Sequence, residues 1–300
     1  MPVLWNLLNW VPASWLGALQ AARRRAPWLN RGVSSMTRRM KSRGRVIQRG
    51  VGRSLRFDPG GGNLEYLLGT AEPAVQDVMS ALVRPGMVVF DVGANVGFLT
   101  LIAARLVGPS GRVVAFEPWP AASRILSTNL RANGMAWVSV VPLALFDQDG
   151  PMAFVGQEAT TLGRLATTLP PSSSSDNASQ QVDAARLDTW IAHEGAVPNV
   201  NLRPPDLVKI DVEGAEAAVL RGARQTIRSH QPTLLIELHG TNLEVSSELA
   251  SLGYQSFVLG QGEVALPAAP TEAFVVAVPQ DDRGRLDFAR RLCEQARTLR

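Results

Sequence analysis

Four acidic residues occupy the same kind of place in this chain. Asp91 follows Val88-Val89-Phe90, and Glu117 follows Val113-Val114-Ala115-Phe116. Asp211 follows Leu207-Val208-Lys209-Ile210, and Glu237 follows Leu234-Leu235-Ile236. Each acid closes an apolar run just before the chain turns. In an open α/β sheet, ligands bind at the carboxyl ends of the strands. Right-handed crossovers bring those ends to one edge. The four carboxylates are therefore expected to converge on one cleft. Strand ends also carry acids as helix caps, which accounts for one or two of them but not for four.

The turn after the first acid reads Asp91-Val92-Gly93-Ala94-Asn95-Val96-Gly97. Gly93 and Gly97 let the backbone approach a ligand, and the following helix offers free N–H groups. Glu117, at the next strand end, suits the two hydroxyls of a ribose. Asn95 stands where a dinucleotide fingerprint carries its middle glycine, so room for a pyrophosphate is missing. S-adenosylmethionine, with a ribose and an α-carboxylate but no phosphate, fits this pattern better than NAD. The sequence has no GxxxxGK[ST] and no GxSxG, which removes the P-loop and the hydrolase nucleophile elbow. The single cysteine, Cys293, excludes an intramolecular disulfide and thiolate zinc sites.

A second set of groups faces the acceptor. Asp211 and Glu213 straddle one residue, as do Glu237 and His239, so each pair shares a face while the backbone stays extended. Methyl transfer to a hydroxyl is an in-line displacement that needs alignment. It also gains about 10²–10⁴-fold from a base within hydrogen-bond reach. Asp211 and His239 are the expected base or base-orienting pair. Glu237 is expected to orient His239 or to bind acceptor hydroxyls. Lys209 shares a strand face with Asp211 in a chain that has only one other lysine, Lys41. Its ammonium would lower the pKa of a carboxylate or of the acceptor oxygen, or hold the strand end in a salt bridge. Asp211, Glu237 and His239 are also residue types that ligate divalent ions, although the reading favours a metal-free site. His193 and His230 read as ordinary helix-end or loop residues.

The elements that must position these groups alternate regularly from residue 72 onward. A helix is expected near 72–83, a strand in 87–93, a helix to Leu106 and a strand in 112–118. A helix near 120–133 and a strand near 137–145 follow. Residues 146–182 break the rhythm, with a hairpin suggested by DQDGPMAFVG and a flexible loop by PPSSSSDNASQQ. Order resumes with the strand in 206–214, a helix near 214–229 and the strand in 233–240. A helix near 242–252, strands near 254–259 and 273–278 and a charged helical tail complete the series. Apolar strands alternating with helices imply a three-layer α/β fold, its mostly parallel sheet covered on both faces.

The segments DVGANVGFLTLIAARLVGPSGRVVAFEP, NLRANG, RLDTW, LVKIDVEGAEAAVLRGA and LLIELH resemble the FkbM-type methyltransferases, from about Leu64 to Phe274. The resemblance implies a Rossmann-like class I methyltransferase fold: seven strands, the last one antiparallel. It also implies methylation of hydroxyls on sugars, glycans or polyketide-type products. By the same resemblance Asp91, Gly93, Asn95 and Gly97 hold the methionine end of S-adenosylmethionine and Glu117 the ribose. Trp119 and the stretch from Ala144 to Asp147 flank the adenine, with Trp119 stacking on the base or shielding the helix start. Glu72 closes the cofactor pocket or serves as a charge at a helix N-terminus.

The charge is asymmetric. Twelve of the 30 Lys/Arg precede Asp58, the first acidic residue, so the leader is strongly basic and the body acidic. The expected domains are a basic amphipathic extension over 1–57, a methyltransferase domain over 58–280 and a tail over 281–300. Leu4, Leu7, Leu8, Val11, Trp15 and Leu19 fall roughly on one helical face. With the arginines that follow, residues 1–50 could lie on an anionic membrane surface. Polar interruptions argue against a transmembrane span, and cations placed after the apolar stretch argue against a secretory signal. The resulting expectation is a cytoplasmic protein whose leader either docks on its own domain, forms a partly disordered arm or makes peripheral contact with a membrane. Two other enzyme classes compete: an RNA-modifying methyltransferase with the leader as its arm, and a nucleotide-cofactor dehydrogenase. The acidic body weighs against the first and the missing GxGxxG against the second. A non-catalytic module that kept the pocket is a further alternative.

Overall fold

The runs of consecutive apolar residues become the strands of one central sheet. The computed structural model describes residues 46–60, 64–156, 163–165, 178–194 and 203–296. The membrane-surface reading of the leader falls on 1–45, outside the described residues, apart from the last few of its 50 positions. In chain order the sheet strands are β1 (Val88–Val92), β2 (Arg112–Phe116), β3 (Val138–Val141), β8 (Leu207–Ile210), β9 (Thr233–His239), β10 (Tyr254–Val258) and β11 (Glu272–Pro279). Their order across the sheet is β10-β11-β9-β8-β1-β2-β3. The pairings β2–β3, β1–β2, β1–β8 and β8–β9 are parallel, whereas β11 runs antiparallel to both β9 and β10. This is the class I methyltransferase fold: strand order reverses at β1, and the last strand, β11, is inserted antiparallel between β9 and β10.

Side chains alternate between two cores, as the period of a strand requires. Val89, Val113, Ala115, Leu207, Leu235 and Val276 enter one core. Helices α2 (Pro73–Leu82), α3 (Phe98–Val107), α4 (Pro120–Ala132) and α9 (Arg283–Gln295) cover it. Val88, Phe90, Val114, Phe116, Ile210, Ile236 and Ala277 enter the other. There the cover is α5 (Leu187–Glu194), α6 (Glu216–Gly222), α7 (Arg224–His230) and α8 (Asn242–Ser251). Helix α3 is apolar on almost every side and is buried accordingly. Helix α4 starts at Pro120, where the missing N–H costs nothing, and buries Ala122, Leu126 and Leu130.

Two elements differ from the sequence expectation. The helix near 214–229 is two helices, α6 and α7. Ala223 leaves helical geometry between them, and the Asp188 carboxylate accepts from the amides of Gln225 and Thr226 at 2.9 and 2.8 Å. A side chain reaching over from α5 thus satisfies the start of a new helix. The 146–182 segment is more than a local hairpin. With β4 (Ala144–Leu145) it builds a second sheet from β5 (Gly150–Gly156), β6 (Gly163–Leu165) and β7 (Ala178–Ala185), ordered β4-β7-β5-β6. Ala178–Gln181, which composition marks as loop, pair antiparallel with Ala153–Gly156. Val182 and Ala184 alternate inward with Met152 and Phe154 into the first core.

The body also starts earlier than Asp58. The chain divides between Val46 and Ile47, and Ile47–Arg300 is one compact unit. Ile47, Leu55 and Phe57 are core residues, and Asn129 of α4 bonds both the amide and the carbonyl of Asp58. Charge therefore marks the wrong boundary, because the last part of the basic stretch contributes apolar side chains to the core. The tail helix α9 likewise belongs to this unit, with Ala289 and Cys293 buried. Before α2 lies a short helix, α1 (Leu64–Leu68). Among the described residues, no helix is long and apolar enough to cross a membrane.

Candidate active site

A single cleft opens at the carboxyl ends of β1, β2, β8 and β9. Its wall includes Gly93, Asn95, Glu117 and Phe154 at one end and Asp211, Glu213, Glu237 and His239 at the other, with Tyr66 and Glu72 in electrostatic reach of Asp211. Three of the four strand-end acids line it. The fourth, Asp91, sits beneath, 2 % exposed. Among the described residues, five carboxyl groups face the space and no lysine or arginine does.

At the Glu117 end the backbone does the holding. The amides of Asn95 and Trp119 each donate to one oxygen of the Glu117 carboxylate at 2.7 Å. Burial raises Glu117 to about 7 despite these two bonds. The β1 turn reaches this geometry through residues with left-handed backbone. Gly93 has φ +76°, and a Cβ there would overlap the Asp211 carbonyl oxygen, so the β1 and β8 turns can touch only because it is glycine. Asn95 has φ 50°, which asparagine tolerates better than most residues. Glu72 and Glu213 also have positive φ, so three of the five described non-glycine residues of this kind line the cleft. Such strain concentrates at functional sites. One Glu72 oxygen is buried without a hydrogen-bond partner, and burial holds the group at about 7.

Below the floor, Lys209 forms a clamp. Its ammonium lies 3.2 Å from Asp91 and 3.1 Å from Asp211 and donates to the Gly93 carbonyl at 3.1 Å. Thr100 donates to the other Asp91 oxygen at 2.6 Å. Burial would lower the Lys209 pKa, but Asp211, Asp91 and Glu72 outweigh it and raise the group. The cation is therefore permanent, and it ties the ends of β1 and β8 together from below the cleft.

At the other end, side chains hold side chains. Glu216, at the start of α6 and fully buried, lies 2.9 Å from His239 Nδ1 and accepts from Thr241 Oγ1 at 2.6 Å and from the Gly214 amide at 2.9 Å. Burial would raise Glu216, but these bonds hold it below the ordinary carboxylate range. His239 Nε2 faces Asp211, Glu213 and Glu237 at 4.0, 3.9 and 3.9 Å. Burial would lower this imidazole; the bond to Glu216 and the charges of Glu216, Glu213 and Glu237 raise it to about 9. Burial and the charges of Asp211 and Glu72 push Glu237 up to about 8. Asp211, Glu237 and His239 each offer an atom within 4.8 Å of the others, a spacing that a divalent ion can span.

The sequence-derived site residues thus separate into two groups. Glu72, Gly93, Asn95, Glu117, Ala144, Asp211, Glu237 and His239 line the cleft. Asp91, Gly97, Trp119, Asp147 and Lys209 do not. Gly97 caps α3 and packs against Leu126, with no space for a Cβ. Trp119 is buried and stacks on Phe154 (5.5 Å between centroids, 26° between planes), so of this pair it is Phe154, from the second sheet, that lines the cleft. Asp147 pairs with Arg221 at 2.8 Å. The hydrogen-bond partner of His239 Nδ1 is Glu216; the Glu237 carboxylate, expected from sequence either to orient His239 or to bind acceptor hydroxyls, is 3.9 Å from Nε2. Glu216, Phe154 and Tyr66 were not singled out from sequence. Glu216 did carry a signal, being an acid inside the apolar run Ala215–Leu220. Tyr66, raised to about 12 by burial and then by Glu72 and Asp211, carried none.

A family model for the methyltransferase FkbM domain matches residues 91–256, more than half of the chain. Methyltransferase 1 of Beauveria bassiana is 29% identical over 148 residues, covering 45% of this chain and 57% of that protein. Methyltransferase sdnD of Sordaria araneosa is 29% identical over 154 residues, covering 45% and 59%. The matches therefore span less than two thirds of either relative. A crystal structure of methyltransferase FkbM from Methylobacillus flagellatus is similar at a TM-score of 0.43 and 16% identity, over 68% of this chain and 54% of that one. On the match to residues 91–256, this chain belongs to the FkbM methyltransferase domain family.

Proposed function

We propose that the protein is an S-adenosylmethionine-dependent methyltransferase acting on a hydroxyl of a sugar, a glycan or a secondary metabolite. The observation that carries this reading is the make-up of the cleft wall: among the described residues it holds five carboxyl groups and no lysine or arginine. Such a wall offers no cation to a phosphate, which disfavours both a pyrophosphate cofactor and a nucleic-acid acceptor. It favours a cationic donor and a neutral polyol.

The residues fit the donor. Each Glu117 oxygen takes one amide N–H and keeps lone pairs for a vicinal diol. The unpartnered Glu72 oxygen is an acceptor for an ammonium. Phe154, backed by Trp119, offers an apolar face to a base. When bound, the donor would supply an electrophilic methyl group on a sulfonium. Lys209 keeps the β1 and β8 turns in register, so the two ends of the cleft hold a fixed separation, as in-line transfer requires. Asp211, Glu237 and His239 orient the acceptor hydroxyl and provide a place for its proton.

Calorimetry is the first test: S-adenosylmethionine should bind and NAD should not, and Glu117→Ala should weaken the donor by about 10²-fold or more. Heat with NAD alone would refute the reading. Extracts incubated with tritiated donor should then show label on a hydroxyl-bearing small molecule or glycan. Label found only in RNA would replace the acceptor class.

A further inference from the structure

The Glu216 carboxylate is sealed from solvent, and each of its contacts has a function. Its two oxygens serve three donors on two segments: His239 Nδ1 and Thr241 Oγ1 at the end of β9, and the Gly214 amide in the β8–α6 turn. An ionised carboxylate can only accept, so the proton between Glu216 and His239 is on Nδ1. The lone pair of a neutral His239 then lies on Nε2, the nitrogen turned into the cleft beside Asp211, Glu213 and Glu237. Thr241 and Gly214 fix Glu216, Glu216 fixes the ring, and the ring presents one nitrogen. This is the base-and-orienter logic of a catalytic triad, assembled from the start of α6 and the end of β9.

We infer that Glu216 is a positioning residue that makes His239 Nε2 the proton acceptor for the attacking hydroxyl. The inference deepens the methyl-transfer reading and rests on it. The step balances as follows. The acceptor oxygen forms its bond to the methyl carbon and gives its proton to Nε2. The carbon–sulfur bond breaks, and its electron pair stays on sulfur. The products are a methyl ether, a neutral thioether nucleoside and an imidazolium.

The groups around His239 give the pH dependence its sign. Glu216 faces it from α6, Glu213 from the β8–α6 turn, Asp211 from the end of β8 and Glu237 from its own strand. Glu272 is its register partner on β11, and Lys209 lies behind Asp211. The acids favour the imidazolium, so the free base is scarce at neutral pH and grows as pH rises toward about 9. Turnover should rise about tenfold per pH unit below that point.

Histidine-selective NMR is practical because the chain has only His193, His230 and His239. In the wild type, His239 at high pH should show the Nδ1–H tautomer and titrate above the other two. Glu216→Gln keeps the shape, and the Thr241 hydroxyl can rotate to accept from the new amide. In this variant the His239 midpoint and the rising limb of kcat should both move down by one pH unit or more. The plateau of kcat should fall roughly 10²-fold, while S-adenosylhomocysteine still binds within twofold. Glu216→Asp should recover part of kcat. An Nε2–H tautomer in the wild type would overturn the inference even if Glu216→Gln failed to fold. So would a folded Glu216→Gln with an unchanged pH profile. Failure to bind the donor at all would instead count against the methyl-transfer reading and leave the tautomer measurement standing.

Discussion

The two ends of the cleft hold their acids by different means. At the donor end, Glu117 is fixed by amides of the turns that frame it: its own, through Trp119, and the β1 turn, through Asn95. At the acceptor end, His239 is fixed by Glu216, and Glu216 by Thr241 and Gly214. Backbone amides come with the fold, so the first arrangement needs only a strand, a glycine-bearing turn and one acid. The second needs several side chains from separate elements to meet.

Lys209 joins the two ends, and breaking it should have the largest effect. Lys209→Met leaves Asp91 buried without its cation and removes one partner of Asp211. Loss of a buried ion-pair partner costs about 3–5 kcal/mol. A fall in thermal midpoint of several degrees is expected, with donor and acceptor functions failing together. Loss of only one of them would show that the ends are independent.

Phe154→Ala tests the donor end alone. It removes the ring that lines the cleft and uncovers Trp119. Donor affinity should fall about tenfold, consistent with roughly 1–3 kcal/mol for an aromatic stack on a base. The His239 titration should not move. A shift in that titration would mean that the second sheet also shapes the acceptor end.

Glu72→Gln should have the smallest effect, and the sign of its stability change is the informative part. Burial raises Glu72 from its ordinary value to about 7, so the folded state favours the protonated form. Its relative stabilisation is present below the unfolded pKa of about 4.5 and is lost as pH rises through about 7. Removing the charge should therefore stabilise the donor-free protein above pH 7 by on the order of 1–2 kcal/mol. At pH 4 stability should change little. Donor affinity should drop several-fold, because the acceptor for the ammonium becomes neutral. A destabilised variant at pH 8 would show that the carboxylate is held for structure.

The acidic residues of the cleft were legible to different degrees for the same reason. Glu117 could be assigned from its place after an apolar strand, since strand order and handedness deliver it to the site. Asp91 satisfied the same rule yet lies under the floor, because Lys209 and Thr100 take both its oxygens. Trp119 stood beside Glu117 in sequence but is buried under Phe154, whose strand pairs with residues far along the chain. Glu216 went unnoticed because its partners, His239 and Thr241, lie on elements that only folding brings near it.

The order and spacing of apolar runs, glycines and strand-end acids in the sequence determine a seven-stranded α/β sheet with a carboxylate-lined cleft. Those features act through local geometry and the fixed hand of the crossovers, which need no long-range information. Tertiary structure alone decided which acids face the cleft, which are locked beneath it and which nitrogen of His239 is presented. Those outcomes depend on hydrogen bonds and ion pairs between distant segments, and such contacts have no period that a linear reading could detect.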